Sequence, residues 1–206
     1  VEKRIWRIAP LVIPLPASSL ARRVNAGIYL RAILRNVKAL GFENPAMLNF
    51  MPIVPRVMQL WRGRKVYYCV DRWDRFGVND SPLMARLDAE CCWNADMVIA
   101  SSNDLSVRCR QLNPNTHLVR HGVDYDHFAS AAGGRLPRPA DLPEGKVAGF
   151  IGLLSEWVDQ DLLVRLCNEL PYAHVVMIGK TDVAVEKLAG RRHLHIMGPR
   201  AFADLP

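Results

Sequence analysis

The sequence predicts an α/β fold made of two parallel-sheet units, and three observations point to it. Short apolar runs of strand length alternate with segments of helical periodicity along most of the chain. Each run hands its carboxyl end to turn or capping residues that open the next helix, as in βα units whose strands lie parallel. One stretch, residues 129–146, interrupts the alternation with Gly133-Gly134, Pro137, Pro139 and Pro143, after which it restarts.

The elements follow in order. Ser18 or Ser19 caps a helix over residues 20–40, and Gly41 stops it. Leu20, Val24, Ile28, Leu30, Ile33, Leu34 and Val37 recur mostly at three- and four-residue spacing, with Arg22, Arg23, Arg31, Arg35 and Lys38 between them. This basic amphipathic pattern suits a helix packed on a sheet with a solvated outer face. It equally suits docking on an anionic membrane or a phosphate-bearing acceptor. Residues 46–51, between Pro45 and Pro52, read as a buried strand, residues 54–61 as a helix, and residues 65–70 as a second strand ending at Asp71. Ser81-Pro82 opens a helix reaching about residue 94, with proline in its permitted first turn. Residues 96–100 form a third strand, Ser101-Ser102-Asn103-Asp104 cap a helix over 105–112, and residues 116–120 form a fourth strand.

Beyond the linker, residues 147–152 are a strand, 159–170 a helix, 173–179 a strand, 183–189 a short helix and 193–197 a strand. The whole is read as a doubly wound arrangement of two Rossmann-like units: 1–128, a linker at 129–146, and 147–206. No internal repeat is present. The run 147–152, a buried strand leading through Leu153, Leu154, Ser155, Glu156 and Trp157 into a helix, is the pattern with which open α/β sheets hold phosphorylated ligands. It is also the pattern of an ordinary βα connection.

Composition narrows the function classes. At 206 residues and 50% hydrophobic content, the chain has enough apolar material for a substantial core and is not disordered. Its net charge of +7 suits a polyanion, an anionic membrane surface or a phosphorylated substrate. Cys69, Cys91, Cys92, Cys109 and Cys167 form no CxxC pair, so they read as small buried hydrophobes of a reducing compartment. Adjacent Cys91 and Cys92 project about 100° apart on a helix, which makes a metal shared with His117 or His121 awkward, and no metal is expected. Residues 1–7 lack a signal-peptide pattern, and no window approaches a membrane span, so a cytoplasmic protein, at most peripheral at the cytoplasmic face of the membrane, is expected.

Four groups of residues then occur in a fixed order: Tyr67-Tyr68-Cys69-Val70-Asp71 with Trp73; Ala95-Asp96-Met97-Val98-Ile99-Ala100-Ser101-Ser102; His121-Gly122-Val123-Asp124 with Phe128; and Phe150-Ile151-Gly152 through Trp157. From about residue 46 to 206 this order resembles the retaining nucleotide-sugar-dependent glycosyltransferases with two facing Rossmann-like domains, the B-type architecture. The likeness is strongest to bacterial members of cell-wall and surface-polysaccharide synthesis. The resemblance implies a donor nucleotide diphosphate held by the carboxyl-terminal domain, an acceptor held by the amino-terminal one, and chemistry in the cleft between them.

Residue by residue, the resemblance places Gly152, Ser155 and Trp157 at the donor phosphates, with the following helix amino terminus offering N–H groups. Lys180 adds positive charge, and the Gly198-Pro199-Arg200 turn passes the nucleotide base. Asp71 faces the transferred sugar as a catalytic carboxylate, although a loop aspartate capping the next turn would look the same. His121, Gly122 and Asp124 form the turn at the interdomain cleft, where the glycine lets backbones approach closely. Gly179, Gly198 and Arg200 also read as ordinary loop residues.

Departures accompany the likeness. The family's glycine-rich loop after its first strand and the paired glutamates beyond the base-binding turn are missing, and Glu156 stands where many relatives carry a basic diphosphate contact. The chain thus reads as an internal fragment, both domains incomplete, with little transferase activity by itself. The resemblance implies no cofactor, because the nucleotide sugar is a substrate, and a glycan or lipid-linked acceptor as partner. A nucleotide-sugar epimerase on the same architecture and a non-enzymatic basic membrane-surface protein are the alternatives. Nucleic acid is disfavoured, since no nucleic-acid motif accompanies the basic residues.

Overall fold

The computed structural model describes residues 5–15, 17–53, 55–75, 81–134 and 136–206. It divides into two compact units, Val1–His121 and Gly122–Pro206, and residues 129–146 fall inside the second. The fold is α/β with parallel sheets, as the alternation of elements predicts.

The first unit opens with α1 (Ser19–Ala39), whose amino end is capped by the Ser18 hydroxyl accepting from the Ala21 N–H. Strands β1 (Met47–Asn49), β2 (Lys65–Cys69), β3 (Met97–Ala100) and β4 (Thr116–Leu118) form a sheet in chain order, all parallel. Helices α2 (Pro55–Leu60), α3 (Ser81–Asn94) and α4 (Asn103–Arg110) connect them. Val54, the predicted first residue of α2, lies outside the described residues. Right-handed crossovers between strands laid down in chain order put every connecting helix on one face. The core agrees, with Tyr67, Cys69, Val98 and Ala100 meeting Met58, Cys91, Cys92, Leu105 and Cys109. The reversal of strand order that defines a doubly wound sheet does not occur among the described strands.

Buried polar groups pin this core. The Tyr67 hydroxyl donates to Asp88 Oδ1 at 2.5 Å, and Arg108 reaches Asp88 Oδ2 at 2.5 Å, joining β2, α3 and α4 through one carboxylate that is 2% exposed. Burial, and then the Asp88 charge, pushes the Tyr67 hydroxyl pKa far up, so it remains a donor. The Asn113 amide donates to the carbonyls of Cys92 and Ala95, satisfying the end of α3. All five cysteines are free and buried.

The second unit contains α5 (Tyr125–Ala129), then β5 (Lys146–Ile151), α6 (Gln160–Glu169), β6 (Ala173–Ile178) and β7 (Leu194–Ile196), again with parallel strands in chain order. Phe150, Val175, Met177 and Leu194 pack toward Leu154, Leu163, Cys167 and Leu188. The opposite face, through Val147, Val176, Ile178 and Met197, borders a cavity of about 710 Å³ whose wall includes Leu136, Pro139, Leu142, Arg200 and Leu205.

Three expectations are corrected. The 20–40 helix does not turn all of its large apolar residues inward: Ala21, Asn25 and Ala26 are buried, Ile28, Leu30, Ile33 and Val37 are half-buried, and Leu20, Val24 and Leu34 are exposed. Strands β1 and β5 are half-exposed edge strands rather than buried ones, and β6 is the buried centre of its sheet. Residues 183–189 form turns instead of a helix, with Leu188 N and Ala189 N bonding back to Val185 O. A seven-residue segment holding two β-branched valines and ending at Gly190 (φ +70°) nucleates a helix poorly.

Candidate functional site

The carboxyl ends of β5, β6 and β7 come together at three glycines. Gly152 N donates to Ile178 O at 2.9 Å and Gly179 N donates to Gly198 O at 2.9 Å, carrying the ladder one step past the strands. At Gly179, φ is +147° and a Cβ would stand 1.8 Å from the Gly152 carbonyl oxygen, so only glycine fits. The loops beyond are tied as well: Leu154 N donates to Lys180 O at 2.9 Å and Asp182 N to Leu154 O at 3.1 Å. This seam is main chain against main chain, and the side chains that could meet a ligand stand on the loops around it.

The predicted donor residues are placed as follows. Trp157 and Lys180 are exposed on the two joined loops. Ser155 is buried, its carbonyl accepts from Val158 N at 3.0 Å, and its hydroxyl bonds to no described residue. Gly198 takes the left-handed region (φ +71°) and turns the chain toward Arg200, which is ion-paired with Asp141 at the rim of the 710 Å³ cavity.

The helix terminus differs from expectation. The Asp159 carboxylate accepts from Leu162 N at 2.9 Å at the start of α6, and Asp161 follows in the first turn. These carboxylates occupy the positive end of the helix dipole, so α6 does not offer it to an incoming anion. Positive charge at this edge comes instead from Lys180 and Arg200.

The carboxyl edge of the first unit carries the other predicted residues. Asp71 lies two residues past β2, exposed, with no partner for its carboxylate among the described residues. Beside it, Arg72 makes a two-pronged contact with Asp74 (2.9 and 2.8 Å) and reaches Asp104 at 3.2 Å. The hydrogen bond from Arg72 holds the Asp74 carboxyl down to about 2. His121 Nδ1 lies 3.4 Å from the Tyr68 hydroxyl, and the Tyr68 ring also meets Phe50 at 5.3 Å. This aromatic row across β1, β2 and the end of β4 was not singled out in the sequence. The period-two alternation of β2 was its available signal, sending Tyr67 into the core and Tyr68 away from it.

In the second unit, a Cβ on Gly122 would meet nothing within 4 Å. Asp124 caps α5, its Oδ1 accepting from His127 N at 3.1 Å. The structure thus brings Gly152, Gly179, Gly198 and Lys180 together at one edge.

No family model matches the chain, and no curated protein matches it. Among solved structures it is similar to the crystal structure of Anabaena Alr3699/HepE in complex with UDP and glucose, with a TM-score of 0.58 and 14% sequence identity. The likeness covers 94% of this chain and 55% of that one, so the chain spans about half the length of that protein. It establishes the fold: Rossmann-like units of the B-type glycosyltransferase architecture.

Proposed function

We propose that this chain is part of a glycosyltransferase that takes a nucleotide-sugar donor at the carboxyl edge of its second unit. The observation that carries the reading is the glycine seam Gly152–Gly179–Gly198 at the ends of three parallel strands, where open α/β sheets receive ligands. The structural neighbour holds UDP and glucose, which supports a sugar nucleotide as the ligand class. Main-chain groups let a diphosphate lie close to the seam. Lys180 balances the negative charge that grows on the leaving nucleoside diphosphate, and Arg200 joins it by exchanging Asp141 for the ligand. Ser155 and Trp157 complete the donor loop in this proposal.

Asp71 is proposed as the carboxylate that meets the transferred sugar, with His121, Gly122 and Asp124 shaping the acceptor side. A retaining outcome and a lipid-linked or polysaccharide acceptor belong to the same reading and rest on the family resemblance. Calorimetric titration of the chain with UDP and UDP-glucose tests it. Binding weakened about tenfold or more by Lys180→Gln and by Arg200→Gln, at charge-assisted hydrogen-bond strength, supports the donor site. Absence of heat from folded protein across uridine, guanosine and adenosine diphosphates and their sugars rejects it.

A further inference from the structure

Residues 5–42 contain six basic residues, Arg7, Arg22, Arg23, Arg31, Arg35 and Lys38, and no acidic one, so this stretch carries most of the chain's net charge of +7. The charge is arranged, not scattered. At 100° per residue, the exposed residues Leu20, Arg23, Val24, Arg31, Leu34 and Arg35 fall within an arc of roughly 120° on α1. Ala21, Asn25 and Ala26 form the buried side, and the contacts of α1 with α2 hold the helix on the unit. The outward stripe therefore mixes guanidinium groups with exposed aliphatic side chains, Leu20 at 71% exposure, along a helix about 30 Å long.

A strap lies alongside. Trp6 packs edge-on against Phe42 beyond the carboxyl end of α1, and the Asn25 side-chain amide holds the Ile13 main chain, its Oδ1 accepting from Ile13 N at 2.8 Å and its Nδ2 donating to Ile13 O at 2.9 Å. Residues 5–15 thus run back along the helix, leaving Ile5 and Leu11 at 88% and 94% exposure. At the amino end of α1, Arg22, Arg23 and Arg56 line a cavity of about 170 Å³ together with Ser19, and Glu90 is the one acid among the described residues that line it.

We infer that the outward face of α1 with its strap is a docking surface for an anionic lipid bilayer, lying in the headgroup plane. Charge and composition select this occupant. Exposed aliphatic groups between arginines gain by entering the acyl boundary while the guanidinium groups stay among phosphates. Among the described residues no helix is long and apolar enough to cross a membrane, so the contact is lateral. The arginine-lined cavity has room for one lipid phosphate. This inference is independent of the donor reading, because it concerns the other unit and a different ligand.

The test is flotation of the full chain with vesicles of phosphatidylcholine alone and of phosphatidylcholine mixed with phosphatidylglycerol. Binding to the anionic vesicles alone, weakened by added salt, is the expected result. Replacing Arg23, Arg31 and Arg35 together by Gln lowers the partition on the order of a hundredfold, at roughly fivefold per charge. Leu20→Ser with Leu34→Ser lowers it at least about tenfold through lost apolar burial. All five side chains are exposed, and unchanged urea midpoints establish that the variants fold. Equal binding to neutral vesicles, no binding by the folded chain, or triple-variant binding equal to the parent overturns the inference. So does binding to single-stranded RNA as strong as to vesicles and indifferent to the leucine changes, which marks the stripe as a general polyanion site.

Discussion

Replacing Gly179 by alanine tests the seam directly. Two costs arise from the geometry. A φ of +147° is a region that L-residues rarely adopt, and holding alanine there costs about 1–3 kcal/mol. The new Cβ also falls 1.8 Å from the Gly152 carbonyl oxygen, so the ends of β5 and β6 must separate. That strains the Gly152–Ile178, Gly179–Gly198 and Leu154–Lys180 hydrogen bonds, each contributing about 0.5–1.5 kcal/mol. The total, roughly 2.5–7.5 kcal/mol if all three bonds are lost, is a large part of the ~5–15 kcal/mol that stabilises a typical domain.

Gly190→Ala is the matched control, because Gly190 has φ +70° with open space where the Cβ would go and carries only the left-handed backbone cost of about 1–2 kcal/mol. Urea unfolding combined with hydrogen exchange of the β5 and β6 amides reads both variants. Gly179→Ala is expected to lose protection through β5 and β6 and, with it, the nucleotide binding proposed for this edge, while Gly190→Ala retains both. A loss at Gly179 no greater than at Gly190 refutes the close-contact argument.

Asp88→Ala leaves Arg108 buried without its counter-charge and the Tyr67 hydroxyl without its acceptor, so the first unit is destabilised by about 3–5 kcal/mol in chemical denaturation. Asp88→Asn loses less, since a carbonyl oxygen still accepts from Tyr67. The His195 pKa is lowered by burial and then by His174 and His193, which favours its neutral form in the folded state. Its contribution is therefore complete above the ordinary histidine value of about 6.5 and declines as pH falls below it. Thermal unfolding between pH 8 and 5 shows this acid-side loss, and His195→Gln flattens it. Asp74, lowered from 3.8 to about 2 by Arg72, supports the fold above 3.8 and loses its effect as pH falls through 2. Asp74→Asn removes about 1 kcal/mol at neutral pH, after allowing for partial solvent screening, as measured by urea midpoint.

The alternation of elements was legible because strand and helix periods are written locally in side-chain order: β2, α3, β3, α4 and β6 lie within a residue or two of their predicted positions. Edge position was not legible, because an apolar run such as residues 147–152 reads the same in the middle of a sheet and at its border. The direction of α1 was missed for a related reason. Periodicity finds a stripe but not which side meets the protein, and here the fully buried positions are Ala21, Asn25 and Ala26, with Ile28, Leu30, Ile33 and Val37 only half-buried. Among the candidate residues, Gly179 and Gly198 read from sequence as ordinary loop glycines, and only the registration of three strands gives them a shared purpose. The Arg72–Asp104 and Tyr68–His121 pairings escaped because their partners are distant in sequence.

A seam made only of main chain separates two kinds of change. Because the joins at residues 152, 179 and 198 use peptide groups, the loops carrying Trp157, Lys180 and Arg200 can be exchanged between proteins of this architecture while the strand-end joins stay in register. Loop grafting should therefore change the side chains presented at this edge with little loss of folding yield, whereas any side chain introduced at Gly179 makes even a correct graft fail.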